Sequence, residues 1–243
     1  MPIGIIINSL SVVVGGIIGS LAGGKLDSQF KDKLNLIFSI CSMSMGISSI
    51  VLMENMPAVT FSMIIGTAIG LWFHLGQRIN DGAMVMQRAV SKIIKSDTNK
   101  MSEEEFAAVL VTLIVLFCAS GTGVYGSIIS GMTGDHSILF AKSMLDLFTA
   151  LIFACNLGIV VSLIAVPQFI LFMILFFCAG FIYSLCTPAM INDFKACGGF
   201  IMLATGFRIA KLKMFPTADM LPTMILVMPI SWFWVNYIMP FVS

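Results

Sequence analysis

Eight stretches of this chain are each about as long and as apolar as a helix that crosses a bilayer: residues 3–23, 36–53, 57–76, 107–130, 141–165, 167–187, 190–207 and 222–241. A hydrocarbon core needs about 20 apolar residues in helical form. Lipid cannot satisfy the backbone groups of an open strand edge, so helices are the open arrangement that remains. The pattern predicts an all-α polytopic integral membrane protein of about eight transmembrane helices. Composition agrees, with 58% of the 243 residues hydrophobic and 10% charged, against about a quarter charged in soluble domains. The seventh stretch is the least apolar, because it opens with Asn192, Asp193 and Lys195. Met1-Pro2-Ile3-Gly4 lacks the basic region of a cleaved signal peptide, so the first stretch is expected to remain as a span.

The positions of Lys and Arg orient the spans. With the N-terminus outside, Lys25, Lys31, Lys33, Arg78, Arg88, Lys92, Lys95, Lys100, Arg208, Lys211 and Lys213 fall inside, and only Lys142 and Lys195 fall outside. An even number of spans, with both termini outside a cytoplasmic membrane, fits this bias. Residues 77–105 form the one stretch that reads as non-membrane. Ile79, Ala83, Met86, Val90 and Ile93 recur at helical spacing, with Arg88, Lys92 and Lys95 off the stripe. This predicts an amphipathic linker helix, lying on lipid with its basic side chains towards anionic headgroups or standing solvated. Ser102 and Glu105 form a capping-box pattern ahead of the fourth span.

Sliding the chain by 110 residues pairs 14–70 with 124–180 at twelve identical positions, among them Gly16 with Gly126, Gly24 with Gly134, Pro57 with Pro167 and Gly70 with Gly180. Each unit holds three spans, so the second enters from the opposite side. That is a 3+3 inverted-topology repeat followed by a C-terminal helix pair, an arrangement common among secondary transporters. The expected organisation is 1–76 as the first repeat, 77–105 as the linker helix, 106–187 as the second repeat and 188–243 as a two-span unit. Gly198-Gly199-Phe200-Ile201 echoes Gly15-Gly16-Ile17-Ile18.

Three stretches carry a family resemblance: Asn8 with Gly15-Gly16-Ile17-Ile18-Gly19; Phe117-Cys118 through Gly121, Gly126, Gly131, Gly134-Asp135, Leu139 and Lys142 to Asp146 and Gly158; and Gly198-Gly199, Gly206 and Leu221-Pro222. On these the chain resembles, over its full length, the uncharacterised bacterial inner-membrane family of YqgA- and YdfK-like proteins. It departs from the family pattern at Ser130, where an acidic residue often stands, and at Leu71-Trp72, where a Gly-Glu pair often ends the third span. The resemblance implies membrane class and topology but no substrate.

Polar groups at bilayer depth are candidate functional residues, because an unpaired charge there is costly. Asp146 lies in the fifth span with Lys142 one helical turn earlier on the same face. The pair is either a coupling carboxylate with its partner or an interface ion pair. In the fourth span, Ser120, Gly121, Thr122, Gly123 and Gly126 make a poor continuous helix. They predict either an unwound stretch over 120–127 that coordinates a solute, or close packing through small residues. Asn8 and Asn156 are further candidates, and Asp193, Gly198 and Gly199 either join a site or mark an interface. Asp146→Asn is expected to abolish coupled uptake and leave stability nearly intact.

Cys41, Cys118, Cys155, Cys178, Cys186 and Cys197 show no C-x-x-C spacing and no histidine pairing, so no metal site is expected and no cofactor. No P-loop, H-E-x-x-H or G-x-S-x-G pattern occurs, and no basic tail suggests nucleic acid. The chain therefore reads as no enzyme. It reads as a secondary transporter or permease for a small polar or ionic solute across the bacterial inner membrane, with lipid and solute as partners and a homodimer left open. A channel on the same repeat and a non-transporting membrane scaffold are the alternatives.

Overall fold

The computed structural model describes residues 1–22, 27–93 and 103–242. Every regular element among them is helical: α1 (Ile3–Ala22), α2 (Ser28–Ile50), α3 (Met56–Trp72), α4 (Leu75–Ile93), α5 (Glu103–Cys118), α6 (Gly121–Thr133), α7 (Ser137–Leu157), α8 (Val160–Leu163), α9 (Ala165–Tyr183), α10 (Pro188–Ile209), α11 (Pro222–Phe233) and α12 (Met239–Val242), with a π-helical turn over Trp234–Ile238. Ser102 of the expected capping box lies outside the described residues, as do Lys25, Lys95 and Lys100.

Among the described residues, six segments are long and apolar enough to cross a membrane: Ile3–Ala22, Asp32–Ile50, Phe106–Thr133, Ser137–Leu157, Val160–Gly180 and Pro222–Phe241. The two expected spans outside this set are α3 and α10. With 17 residues, α3 reaches the length only together with the start of α4. Between them the chain breaks at Phe73 and His74, where His74 takes a positive φ of 51°. As for α10, it carries Asp193, Lys195 and Arg208.

The chain packs as two units, Met1–Leu34 with Arg78–Ala179, and Asn35–Gln77 with Gly180–Ser243. Neither is a continuous stretch, so the packing does not follow consecutive blocks of sequence. In the first unit α1 lies along α7. Its inner face is mostly small or polar (Gly4, Asn8, Ser9, Gly15, Gly16 and Gly19, with Ile5 and Val12), and its outer face is large and apolar (Leu10, Val14, Ile18 and Leu21). A soluble helix shows the reverse, whereas helices that associate in lipid bury small residues so that backbones can approach. The glycines are needed for that approach. A Cβ on Gly15 would fall 2.2 Å from the Leu147 carbonyl oxygen, and one on Gly19 would fall 2.2 Å from that of Leu151. Gly4 lies beside Leu139 and Gly19 beside Ala154, so α1 and α7 run in the same direction.

The predicted stripe of α4 is present, with Ala83 and Val90 buried and Arg88 exposed. It is covered by protein: Ala83 and Val90 belong to one buried cluster with Phe106, Leu110 and Leu113 of α5. The second unit repeats the small-residue logic. Gly199 of α10 meets the Gly46 carbonyl of α2, with a Cβ 2.6 Å away, and Gly66 of α3 meets Thr223 of α11.

Candidate functional site

Three helices of the first unit bring four polar side chains together. On α7, Lys142 and Asp146 sit four residues apart, which places them on one face. Lys142 Nζ donates to Asp146 Oδ1 at 2.8 Å and lies 2.7 Å from Oδ2. On α1, the glycine face that admits α7 also aims Asn8 at it, and Asn8 Nδ2 donates to Asp146 Oδ2 at 2.8 Å. From the first turns of α9, Gln168 Nε2 donates to Asn8 Oδ1 at 2.8 Å and to Asp146 Oδ2 at 3.2 Å. Asn8 and Gln168 are fully buried, Lys142 is 3% exposed and Asp146 6%. An ion pair this deep is held by the donors around it, because burial of either charge alone is unfavourable.

Gln168 was not among the residues expected from sequence. It is the one glutamine inside the eight apolar stretches. That was the available signal, masked by its place next to Pro167 at the start of a span.

The stretch after Ser120 is not unwound. The break is confined to Ala119 and Ser120, and the helix runs from Gly121 to Thr133. Ser120 caps it, its side chain accepting from Gly123 N at 3.1 Å. The glycines serve packing: a Cβ on Gly123 would lie 2.3 Å from Phe172 Cζ and 2.9 Å from Lys142 Cε, and Gly126 packs on Ile138 and Leu139. The first turn of α6, with Thr122 buried, therefore lies against the stem of Lys142. Asn156 is exposed on the last turn of α7, ten residues and so about 15 Å along the helix from Asp146. It does not join the cluster.

Asp193 belongs to the second unit and is fully buried. Its Oδ1 accepts from the backbone N–H of Glu54 at 3.0 Å and of Asn55 at 2.9 Å. Its Oδ2 accepts from Asn55 Nδ2 at 2.9 Å and from Ser231 Oγ at 2.6 Å. Asn55 is the N-cap of α3, so the carboxylate anchors the entry to that helix and its four acceptor positions are committed. Gly199 packs on α2, and Gly198 is buried beside it.

The two clusters share a spacing. Asn8 and Asp146 are 138 residues apart, and so are Asn55 and Asp193. The stretches around the asparagines, 3–23 and 50–70, match at seven positions: Ile3 with Ile50, Asn8 with Asn55, Val12 with Val59, Ile17 with Ile64, Ile18 with Ile65, Gly19 with Gly66 and Gly23 with Gly70. Composition alone gives roughly two in a window of this length.

Helices with small polar inner faces, large apolar side chains exposed outward and buried charge define a polytopic α-helical membrane protein. The chain belongs to the family described as "Protein of unknown function (DUF554)", whose model matches residues 3–232. It is 42% identical over 234 residues to the uncharacterized protein YqgA of Escherichia coli (strain K12), covering 96% of this chain and 98% of that protein. It is 24% identical over 223 residues to the uncharacterized membrane protein YdfK of Bacillus subtilis (strain 168), covering 92% and 93%. No solved structure matches.

Proposed function

We propose that this chain is a secondary transporter or permease for a small polar or ionic solute, in the bacterial inner membrane with both termini outside. The observation that carries this reading is the buried quartet of Asn8, Lys142, Asp146 and Gln168, contributed by α7, α9 and the distant α1. Two opposite charges at bilayer depth are expensive to maintain. A scaffold could hold the same helices together through the glycine contacts of α1 and α7 alone. The 110-residue repeat belongs to the same reading, since three-span units of opposite entry are a common transporter architecture.

The geometry changes the test. Asp146→Asn leaves Lys142 buried without its carboxylate, so the charge-balanced pair Lys142→Met with Asp146→Asn is the informative variant. In proteoliposomes, uptake of radiolabelled glycine, urea, glycerol, sodium and formate is measured for the wild-type chain and this variant, per folded molecule. At least one solute is expected to enter against the wild type and to lose nearly all uptake in the variant. Equal uptake in both, or none above empty vesicles, sinks the transporter reading. A steady ion current through the wild-type chain in planar bilayers replaces it with a channel.

A further inference from the structure

One acceptor in the quartet has no partner. Gln168 is fully buried, and its Nε2 is fixed by two acceptors, Asn8 Oδ1 and Asp146 Oδ2. Flipping the carboxamide would set Oε1 against those same oxygens, so the assignment is determined by the network. Gln168 Oε1 then has no donor among the described residues. A buried acceptor is unfavourable to leave unmet, and the described residues supply no donor here, so a water or a solute must donate to it.

The quartet also has a spare donor. An ammonium carries three N–H bonds, and those of Lys142 meet the two oxygens of Asp146 at 2.8 and 2.7 Å and no further acceptor among the described residues. The first turn of α6 lies against the Lys142 stem.

Charge decides what fits between donor and acceptor. Lys142 and Asp146 sum to zero. An added cation meets the ammonium and an added anion meets the carboxylate, at separations where like charges repel strongly in a low dielectric. A solute with no net charge meets neither penalty. We propose that the quartet binds a small solute of no net charge, neutral or zwitterionic, that donates to Gln168 Oε1 and accepts from Lys142 Nζ. This names the solute class and rests on the transporter reading only for the solute's onward passage. The four residues are at most 6% exposed, so the solute is admitted by a rearrangement of the helices.

The test is equilibrium dialysis of the full chain in nanodiscs with radiolabelled glycine, urea and glycerol, and with sodium-22 and formate. The wild type is expected to bind at least one of the first three and neither ion. Gln168→Met should weaken that binding at least tenfold. Lys142→Met leaves the quartet net negative and should move binding to sodium. Wild-type binding of sodium or formate that Gln168→Met removes overturns the proposal. So does neutral-solute binding that Gln168→Met leaves unchanged, and so does binding of none of the five. If Gln168→Met fails to fold, Lys142→Met decides: neutral-solute binding kept, with no sodium bound, overturns it. Binding without uptake in proteoliposomes leaves this inference standing and removes the transporter reading instead.

Discussion

Replacing Asp146 by Asn tests whether the quartet is held by charge. The substitution keeps size and removes the counter-charge of Lys142, which is 3% exposed. At 2.8 Å, the attraction between unit charges is about 6 kcal/mol at an effective dielectric of about 20. Asp146 Oδ2 accepts from Asn8 and Gln168, and Oδ1 from Lys142. An Asn can present one oxygen, so its amide nitrogen must face either the lysine or the two amides. Breaking a buried pair from one side costs about 3–5 kcal/mol, and that is the loss expected for Asp146→Asn. Lys142→Met, which leaves a carboxylate still served by two neutral donors, should lose somewhat less. The double variant keeps the Asn oxygen on Asn8 and Gln168 and removes the buried ammonium, so it should lose only about 1–2 kcal/mol. The assay is unfolding by SDS titration in mixed micelles, run as a double-mutant cycle. A coupling energy of about 3 kcal/mol or more is expected, well above what an exposed pair gives. A coupling below about 1 kcal/mol would mean that the pair is hydrated in the membrane and would refute the argument.

Asp193→Ala removes four accepted hydrogen bonds from a fully buried site, and should destabilise by about 3 kcal/mol or more in the same titration, with uptake per folded molecule unchanged. Gly15→Ala and Gly19→Ala must push α1 off α7, and each should cost about 1–3 kcal/mol. Gly82→Ala on α4, where an added Cβ meets nothing within 4 Å, should instead stabilise by about 0.5–1 kcal/mol; equal effects at the three glycines would contradict the packing described. In a cysteine-free background, labelling of intact cells is expected at engineered sites over 135–138 and not at Lys95, and labelling at Lys95 would reverse the topology.

The membrane class was legible because apolar length is written directly into the sequence, and helix is the conformation lipid permits. The Lys142–Asp146 pair was legible for the same local reason, a spacing of four on one helix. Asn8 and Asp146 were both singled out, but their pairing was not, since the contact spans 138 residues and no periodicity reports it. The glycines of α6 were harder. Three glycines close together lower helix propensity, yet tertiary packing against Phe172 and Leu139 outweighs that cost, and only Ala119 and Ser120 leave the helix. Asn156 and Gln168 look alike as lone amides in apolar runs. Which one turns inward depends on how α8 and α9 follow Gly158, whose φ of 75° ends α7. The stripe of α4 was read correctly as amphipathic, but an apolar face does not say whether lipid or α5 will cover it.

The pairing of Lys142 with Asp146 has an electrical consequence. A unit charge that crosses the whole membrane field exchanges about 2.3 kcal/mol with every 100 mV. A rearrangement that carries the two side chains together moves no net charge, so the resting potential does no work on it in either direction. The carboxylate of Asp193 has only neutral donors, from Glu54, Asn55 and Ser231. Carried through a quarter of the field, it would exchange about 0.6 kcal/mol per 100 mV. Voltage can therefore act on a displacement of the Asp193 side chain by itself while leaving the quartet indifferent to it.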